Sequence, residues 1–311
     1  MTRFATSSTM DAASLALGRD RPATLLARAA DYVELTKPRI VSLELITIAV
    51  AARVAAPRGL DPWLLLAALL GAALIAASAG AFNQWLEQQA DRRMHRTATR
   101  PLPAGRLGGA EVVAFGTITL LLGTTVLVWL VNVPTAMVGL AVWLIYVAVY
   151  TPLKSRSPLN TAVGAVSGAL PVLMGWSATG TPLDSRALAM AAVLFLWQFP
   201  HFMAIAWLYR QDYQRAGHKM LTTVDPSGLR AGAQAVIAAA LLMPVSLVIV
   251  LGPHSASPAV YCGWALLLAG GQLVAAAIFL WRRDDLSARR LLRASLLYLP
   301  SWMGLLAMLS V

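Results

Sequence analysis

Three polar residues with a four-residue spacing are the first candidates for chemistry in this chain of 311 residues. Asn83, Glu87 and Asp91 lie at positions i, i+4 and i+8, so that on an α-helix they share one face. Two carboxylates and an amide oxygen form an oxygen-rich cluster, and Mg²⁺ binds carboxylates together with phosphate oxygens and water. The spacing therefore predicts a Mg²⁺ site near the end of a helix, with a solvated helix end as the alternative.

Basic residues close to these acids favour the metal site and indicate a phosphate ligand. Immediately downstream lie four arginines whose guanidinium groups can bind phosphate oxygens, Arg92, Arg93, Arg96 and Arg100. A second acid–base group contains Asp212, Arg215 and Lys219. Two such loops facing each other would bind a Mg²⁺–diphosphate substrate. The sequence has no GxxxxGK[ST] phosphate-binding loop, which argues against nucleotide hydrolysis of the P-loop type.

The elements that position these groups are predicted to be membrane helices. The chain is 58% hydrophobic and only 13% charged, with a mean hydropathy of +0.66. An ordinary soluble domain carries about 25% charged residues, so a globular cytosolic enzyme is excluded, and the apolar content also excludes disorder. A single cysteine, Cys262, excludes an internal disulfide and a cysteine-based zinc site. The net charge of +11 is attributed to membrane orientation, and no nucleic-acid partner is expected.

Stretches without charged residues predict nine transmembrane helices, an all-α polytopic bundle around a central chamber. The predicted spans are about 40–56, 62–86, two within 112–153, 157–183, 187–209, two within 231–281, and 294–311. The two long stretches are divided at residues 132–134 and 252–254. The first span carries Glu44, for which we expect an ion pair with Lys37 or Arg39 near the membrane surface.

The basic residues predict how this bundle is oriented. With the N-terminus inside, all but three of the 25 lysines and arginines fall in cytoplasmic segments, and the exceptions are Arg53, Arg58 and Arg186. The positive-inside rule then predicts a cytoplasmic N-terminus and a periplasmic C-terminus in a bacterial inner membrane. Residues 1–30 are predicted to be a disordered cytoplasmic tail and residues 31–311 a single transmembrane domain. Residues 25–35 are a candidate for a short interfacial helix that leads into the first span.

Four stretches of the sequence resemble the intramembrane prenyltransferase superfamily, which includes the ubiquinone and menaquinone prenyltransferases. The segment from Asn83 to Asp91, with the following MHRT and RPLP sequences, is similar to its first acidic motif. Within this superfamily, the residues of the motif are most similar to those of the heme O synthases, also called protoheme IX farnesyltransferases. Their motifs are matched by LTKPRI at 35–40, YTPLK with PLN at 150–160, and WQFPHF with DY, AG and ML at 197–221.

The sequence departs from the pattern of this family at three places. Position 87 is glutamate where many relatives have aspartate, which keeps the charge and lengthens the side chain by one methylene. Position 216 is alanine, so the second DxxxD motif of the superfamily is incomplete. His218 and Lys219 stand where a small residue and proline are more usual.

The resemblance implies a reaction, in which the farnesyl group of farnesyl diphosphate is transferred to a vinyl group of heme b. The products are heme O and diphosphate, and the step belongs to heme A biosynthesis for terminal oxidases. The implied Mg²⁺ ligands are Asn83, Glu87, Asp91 and Asp212. The implied diphosphate ligands are Arg96, Arg100, Lys154 and Lys219. Heme A synthase and oxidase assembly proteins are candidate protein partners, beside the lipid bilayer.

Three of the four histidines need separate expectations. His201 follows Pro200 inside a predicted span, where it either binds the heme iron or propionates, together with Tyr150 at the acceptor site, or is a hydrogen-bonded residue at a helix kink. His218 lies among charged loop residues, as does His95, and both are expected to be solvated.

Two alternative functions remain open from the sequence. One is a sibling prenyltransferase that acts on 4-hydroxybenzoate or another quinone precursor, against which the WQFPHF stretch argues. The other is a cation-coupled transporter in which Glu44 and the acidic cluster form the ion path. Transporters place binding groups near the midplane, whereas the acids here crowd at one predicted rim.

Overall fold

The computed structural model describes residues 24–57, 59–251 and 258–309, and these ranges contain helices without a β-strand. The all-α prediction is therefore confirmed for this part of the chain. The helices are α1 Leu25–Leu35, α2 Pro38–Ala55, α3 Pro62–Leu86, α4 Gln88–Arg93, α5 Gly109–Leu130, α6 Val133–Leu153, α7 Asn160–Ala178, α8 Ser185–Leu208, α9 Arg210–Ala216, α10 Leu221–Val224, α11 Leu229–Leu247, α12 Pro258–Arg282 and α13 Asp285–Leu309.

Eight of these helices are long and apolar enough to cross a membrane, namely α3, α5, α6, α7, α8, α11, α12 and α13. The ninth predicted span corresponds to α2, an 18-residue helix that is less apolar because it carries Arg39, Glu44 and Arg53. The described residues thus contain nine helices of spanning length, in agreement with the predicted count. The predicted turn at 252–254 lies outside the described residues.

The two ends of the chain differ from the predicted boundaries. Residues 25–35 form α1, as expected for a short helix, so the predicted disordered tail does not include residues 25–30, and residues 1–23 lie outside the described ranges. The last helix begins at Asp285, nine residues before the predicted start, because the Ser287 amide donates to the Asp284 carboxylate at 2.7 Å and caps it. Charge exclusion missed this start because the first turns of α13 carry several charged residues.

The spanning helices pack in a closed order. Consecutive helices contact each other, the last helix α13 contacts α2, and α2 also packs along α7. Small residues permit the α2–α7 approach, since a side chain at Gly175 would overlap the Ile48 carbonyl. Gly164 and Gly168 on α7 also permit close packing, because a Cβ at these positions would meet the Tyr150 ring and the Gln198 side chain, respectively.

Helix α6 ends in a widened turn that brings two tyrosines together. Residues 145–150 are π-helical, and the Thr151 hydroxyl donates to the Tyr146 carbonyl five residues earlier at 2.8 Å. Pro152 accounts for the widening because it lacks an N–H and its ring cannot approach an ordinary helical carbonyl. The Tyr146 and Tyr150 rings consequently lie 5.3 Å apart.

Candidate active site at one end of the bundle

The predicted alignment of Asn83, Glu87 and Asp91 is confirmed. Helix α3 ends at Leu86, but the Glu87 amide still donates to the Asn83 carbonyl at 3.0 Å and the Asp91 amide to the Glu87 carbonyl at 2.8 Å. The helical register therefore continues from α3 into α4. All three residues are buried, with exposed fractions of 1%, 6% and 1%, respectively. A solvated helix end, the alternative considered for this spacing, is excluded by this burial.

Lys37 and Thr151 hold Asn83 in place, and sequence reasoning assigned neither of them to the site. The Lys37 ammonium at the start of α2 donates to the Asn83 side-chain oxygen and, at 3.3 Å, to the Tyr146 hydroxyl. The Asn83 amide nitrogen donates to Glu87 and to the Thr151 hydroxyl, both at 3.0 Å. The matching LTKPRI and YTPLK motifs were the available signals for these two residues, which lie far from Asn83 in the chain.

Lys154 forms an ion pair with Glu87 at the end of α6. Its ammonium lies 2.8 and 2.9 Å from the two carboxylate oxygens and 4.6 Å from the centre of the Tyr150 ring. Burial opposes the charged form of each partner, but their attraction outweighs it. The pKa of Lys154 is therefore raised and the pKa of Glu87 is lowered, the latter with help from Lys37 and His218. Both groups are charged at neutral pH.

Asp91 has one carboxylate oxygen without a partner. Its Oδ2 accepts from Arg100 at 2.8 Å, whereas its buried Oδ1 has no hydrogen bond. An orphaned carboxylate oxygen in this position fits a cation. Within the described ranges no set of three or more His, Cys, Asp or Glu side chains could hold a metal ion. The two buried carboxylates of Glu87 and Asp91 nevertheless suit Mg²⁺, because this ion commonly binds one or two carboxylates and completes its shell with substrate phosphate and water.

Asp212 is not assembled with Glu87 and Asp91 into such a set. It lies on α9, where its carboxylate accepts from Arg215 at 3.3 Å. The two predicted loops nevertheless meet, because α9 contacts α4 and the Arg96 guanidinium lies 5.1 Å from the centre of the Tyr209 ring. Of the predicted diphosphate ligands, Arg100 and Lys154 reach the buried carboxylates directly.

The other two predicted diphosphate ligands, Arg96 and Lys219, have exposed side chains. Lys219 contributes through its backbone, since its amide donates to the Lys154 carbonyl at 2.6 Å and its own carbonyl accepts from Asn160 at 3.0 Å. These bonds fix the α9–α10 loop against the end of α6.

The expectation that His218 is solvated is wrong. Only 5% of this residue is exposed, and its Nδ1 has no hydrogen-bond partner. Burial lowers the pKa of His218, and the nearby carboxylates of Glu87 and Asp91 partly offset that effect. Gly217, with φ of +75°, makes the turn that leads the chain inward after α9. The unusual residue type at position 218 was the only signal in the sequence.

His201 is held by contacts between α8 and α13. Its ring stacks on Trp197 at 4.9 Å, and its Nδ1 lies 2.9 Å from the Ser295 hydroxyl. Since that hydroxyl donates to the Leu292 carbonyl at 2.7 Å, the imidazole is assigned as the donor from Nδ1, which leaves Nε2 with a free lone pair. A free Nε2 lone pair is what iron coordination requires. Tyr150, the other residue predicted for the acceptor site, lies against the Lys154 ammonium instead. The chain from His201 to Asp212 is not one continuous helix, because α8 ends at Leu208 and α9 begins at Arg210.

The ion pair expected for Glu44 is absent from the described residues. Lys37 binds Asn83 and Tyr146 instead, and no described charge or hydrogen-bonding group pairs with the Glu44 carboxyl. Sequence proximity to two basic residues was misleading, because the start of α2 directs Lys37 toward α3 and α6.

Known proteins resemble this chain both in sequence and in fold. The model of the UbiA prenyltransferase family matches residues 45–299. A protoheme IX farnesyltransferase from Rhodopirellula baltica is 45% identical and covers 86% of this chain and 96% of its own length. A mitochondrial protoheme IX farnesyltransferase from Arabidopsis thaliana is 39% identical over 75% of this chain and 54% of its own length.

The fold is shared with solved structures of low sequence identity. A digeranylgeranylglyceryl phosphate synthase structure has a TM-score of 0.70 at 16% identity and covers 91% of this chain and 98% of its own. A UbiA homolog from Archaeoglobus fulgidus bound to GPP and Mg²⁺ has a TM-score of 0.64 at 17% identity, over 89% of this chain and 99% of its own. With the matched family model covering most of the chain, this multi-pass membrane protein belongs to the UbiA prenyltransferase family.

Proposed function

We propose that this protein transfers the farnesyl group of farnesyl diphosphate to a vinyl group of heme b and releases diphosphate. The observation that carries the proposal is the buried cluster of Glu87 and Asp91 with Lys37, Lys154 and Arg100 at one end of a membrane bundle. Such a cluster suits a dianionic headgroup on a lipid tail. The protoheme IX farnesyltransferases that resemble the chain over most of its length support heme b as the acceptor.

The residues of the cluster have complementary roles in the proposed reaction. Asn83, Glu87 and Asp91 would hold Mg²⁺, with Asp212 approaching from α9 when the substrate bridges the two loops. Mg²⁺, when bound, supplies Lewis-acid stabilisation of the departing diphosphate. Arg100 and Lys154 donate to the diphosphate oxygens, and Arg96 and Lys219 add positive charge at the exposed rim. The farnesyl chain would extend among the apolar helices, away from bulk water that would capture the allylic cation.

His201 is the proposed acceptor-site residue. Its hydrogen bond to Ser295 fixes the ring and frees Nε2 for the iron or, when protonated, for a propionate. Tyr150, whose ring lies beneath the Lys154 ammonium, would separate the diphosphate end from the acceptor.

We also propose a location and an orientation for this single-domain enzyme. The cluster faces the cytoplasm of a bacterial inner membrane, with the N-terminus inside and the C-terminus in the periplasm. The bias of the basic residues toward the cytoplasmic segments supports this orientation.

A reconstitution experiment tests the reaction and its acceptor together. The purified protein in lipid nanodiscs receives farnesyl diphosphate, Mg²⁺ and either heme b or 4-hydroxybenzoate, and the products are identified by mass spectrometry. We expect a farnesylated heme and no farnesylated benzoate, and we expect both Mg²⁺ removal and the Asp91→Asn variant to abolish the product. Farnesylation of hydroxybenzoate alone would replace heme by a quinone precursor as the acceptor.

A further inference from the structure

Glu44 is a partly buried acid to which the proposed reaction assigns no role. Among the described residues it is the only aspartate or glutamate within a spanning helix beyond that helix's first turn. It has neither an ion pair nor a hydrogen bond within the described part of the chain, although only part of its surface is accessible. An unpaired carboxyl at membrane depth is costly, and such groups typically serve a function.

The position of Glu44 on α2 relates it to the diphosphate cluster. Glu44 follows Lys37 by seven residues, so it lies about 10 Å further along the axis of α2 from the end that carries Lys37. Lys37 donates to Asn83 in the cluster. Glu44 is therefore placed behind the diphosphate end, in the direction in which an apolar tail and its acceptor would lie.

The packing of α2 keeps this position fixed. One turn beyond Glu44, Ile48 contacts α7 at Gly175, where no side chain would fit. The neighbours of Glu44 in sequence, Leu43 and Leu45, pack into two different apolar clusters on either side. The carboxyl thus stands between two apolar surfaces, on a helix whose approach to α7 is set by a glycine.

The proposed reaction requires a base at such a position. When the terminal vinyl carbon bonds to C1 of the farnesyl group, the other vinyl carbon, attached to the porphyrin ring, becomes a cation. Water can add to that carbon, and the proton released from the water must be accepted nearby. The two carboxylates of the cluster are paired with Lys154 and Arg100, whereas Glu44 has no such partner in the described residues.

We propose that Glu44 accepts the proton of the water that adds to the porphyrin-side cation. The water oxygen forms a C–O bond with the cationic carbon, and its proton passes to the Glu44 carboxylate, so the product carries a hydroxyl group. This role rests on the proposed farnesyl transfer to heme. The same carboxylate also stabilises the cation electrostatically before water adds.

The isosteric Glu44→Gln variant tests this role, because it removes the base and keeps the shape. The reconstituted protein, farnesyl diphosphate, Mg²⁺ and heme b are incubated in ¹⁸O-labelled water, and the heme products are separated by mass. We expect diphosphate release to continue, while the ratio of hydroxylated to dehydrated farnesyl heme falls about a hundredfold, the lower end of what a positioned general base contributes. Glu34→Gln makes the same change at an exposed acid paired with Arg106, and it should keep the wild-type ratio.

The remaining outcomes separate the two proposals. An unchanged ratio and rate in Glu44→Gln, with active wild type, would overturn the role of Glu44 and leave farnesyl transfer intact. A wild-type protein that forms no farnesylated heme would overturn both. If Glu44→Gln does not accumulate, Glu44→Asp decides, since a shortened carboxylate should lower the ratio and an unchanged ratio contradicts the role.

Discussion

At the residue scale, the unpartnered oxygen of Asp91 makes the sharpest prediction about metal binding. Asp91→Asn keeps the shape of the side chain and removes its charge, so one metal ligand and the ion pair with Arg100 are lost together. We expect farnesylated heme to fall below detection while the protein accumulates normally, because a lost charged ligand removes several kcal/mol, on the order of 3, of transition-state stabilisation. Mass spectrometry of the heme products measures this, and wild-type product levels would refute the metal site.

His218 predicts a different pattern, confined to diphosphate binding. Its buried imidazole has an unpartnered nitrogen beside Glu87 and Asp91, within reach of an anionic group placed between the two loops. We expect His218→Ala to weaken Mg²⁺–farnesyl diphosphate binding about tenfold, the scale of one hydrogen bond to a charged group. Isothermal titration measures the affinity, with exposed His95→Ala as the control. Equal affinities for both variants would assign His218 to structure alone.

Lowering the pH tests the burial of the same imidazole. Because burial lowers the pKa of His218 below its usual value, the neutral form is favoured in the folded protein, and folding gains stability that is present at neutral pH. That contribution is lost as the pH falls through the ordinary histidine range toward the lowered pKa. We expect His218→Gln to reduce the acid sensitivity of the melting temperature between about pH 7 and pH 5. Identical pH profiles would contradict a buried neutral imidazole.

Spacing within one helix predicts Asn83, Glu87 and Asp91 because all three depend on a single local period. Lys37, Thr151 and His218 come from elements that are distant in sequence, and only the packing of those elements brings them to the cluster. The prediction for Glu44 failed because it relied on sequence proximity alone. Lys37 lies near Glu44 in the sequence, but the start of α2 directs its side chain to Asn83 and Tyr146.

At the element scale, the α2–α7 contact depends on Gly175. A methyl group there would overlap the Ile48 carbonyl, so the two backbones must separate. We expect Gly175→Ala to lower the free energy of unfolding by about 1–3 kcal/mol, the cost of overpacking. Denaturation in mixed micelles measures this, with Gly270→Ala as the control because open space surrounds Gly270. Equal stabilities would show that the helices separate freely.

Other elements explain which boundaries the sequence could predict. The spans were found because charge-free stretches coincide with the helices, as in α3 and α8. The predicted end of α6 at residue 153 is correct, but an apolar stretch carries no signal for the widened turn around Tyr146 and Tyr150, which depends on the placement of Pro152 within the folded helix. Helix α13 extends beyond its apolar stretch because a cap, and not hydropathy, sets its start.

At the scale of the whole molecule, the closed helix order places all cluster residues at one end. Lys37 begins α2, Glu87 follows α3, Lys154 follows α6 and His218 follows α9. In an up-and-down bundle, the start of an outgoing helix and the end of a returning helix lie at the same end. The charge pattern along the sequence predicts this sidedness, because positive residues concentrate in the same segments. The reactive groups and the basic residues thus share one side of the predicted membrane.

This shared side predicts an asymmetric pattern of chemical labelling. Single cysteines replace the exposed Gln89 in α4, the exposed Gln214 in α9 or the exposed Leu183 between α7 and α8, each in a Cys262→Ala background. With the cluster facing the cytoplasm, a membrane-impermeant maleimide added to intact spheroplasts should label the cysteine at 183 and leave those at 89 and 214 unmodified. Inverted vesicles should give the reverse pattern. Labelling of position 89 or 214 in intact spheroplasts would overturn the orientation, and labelling of these two positions from opposite sides would overturn the juxtaposition of α4 and α9.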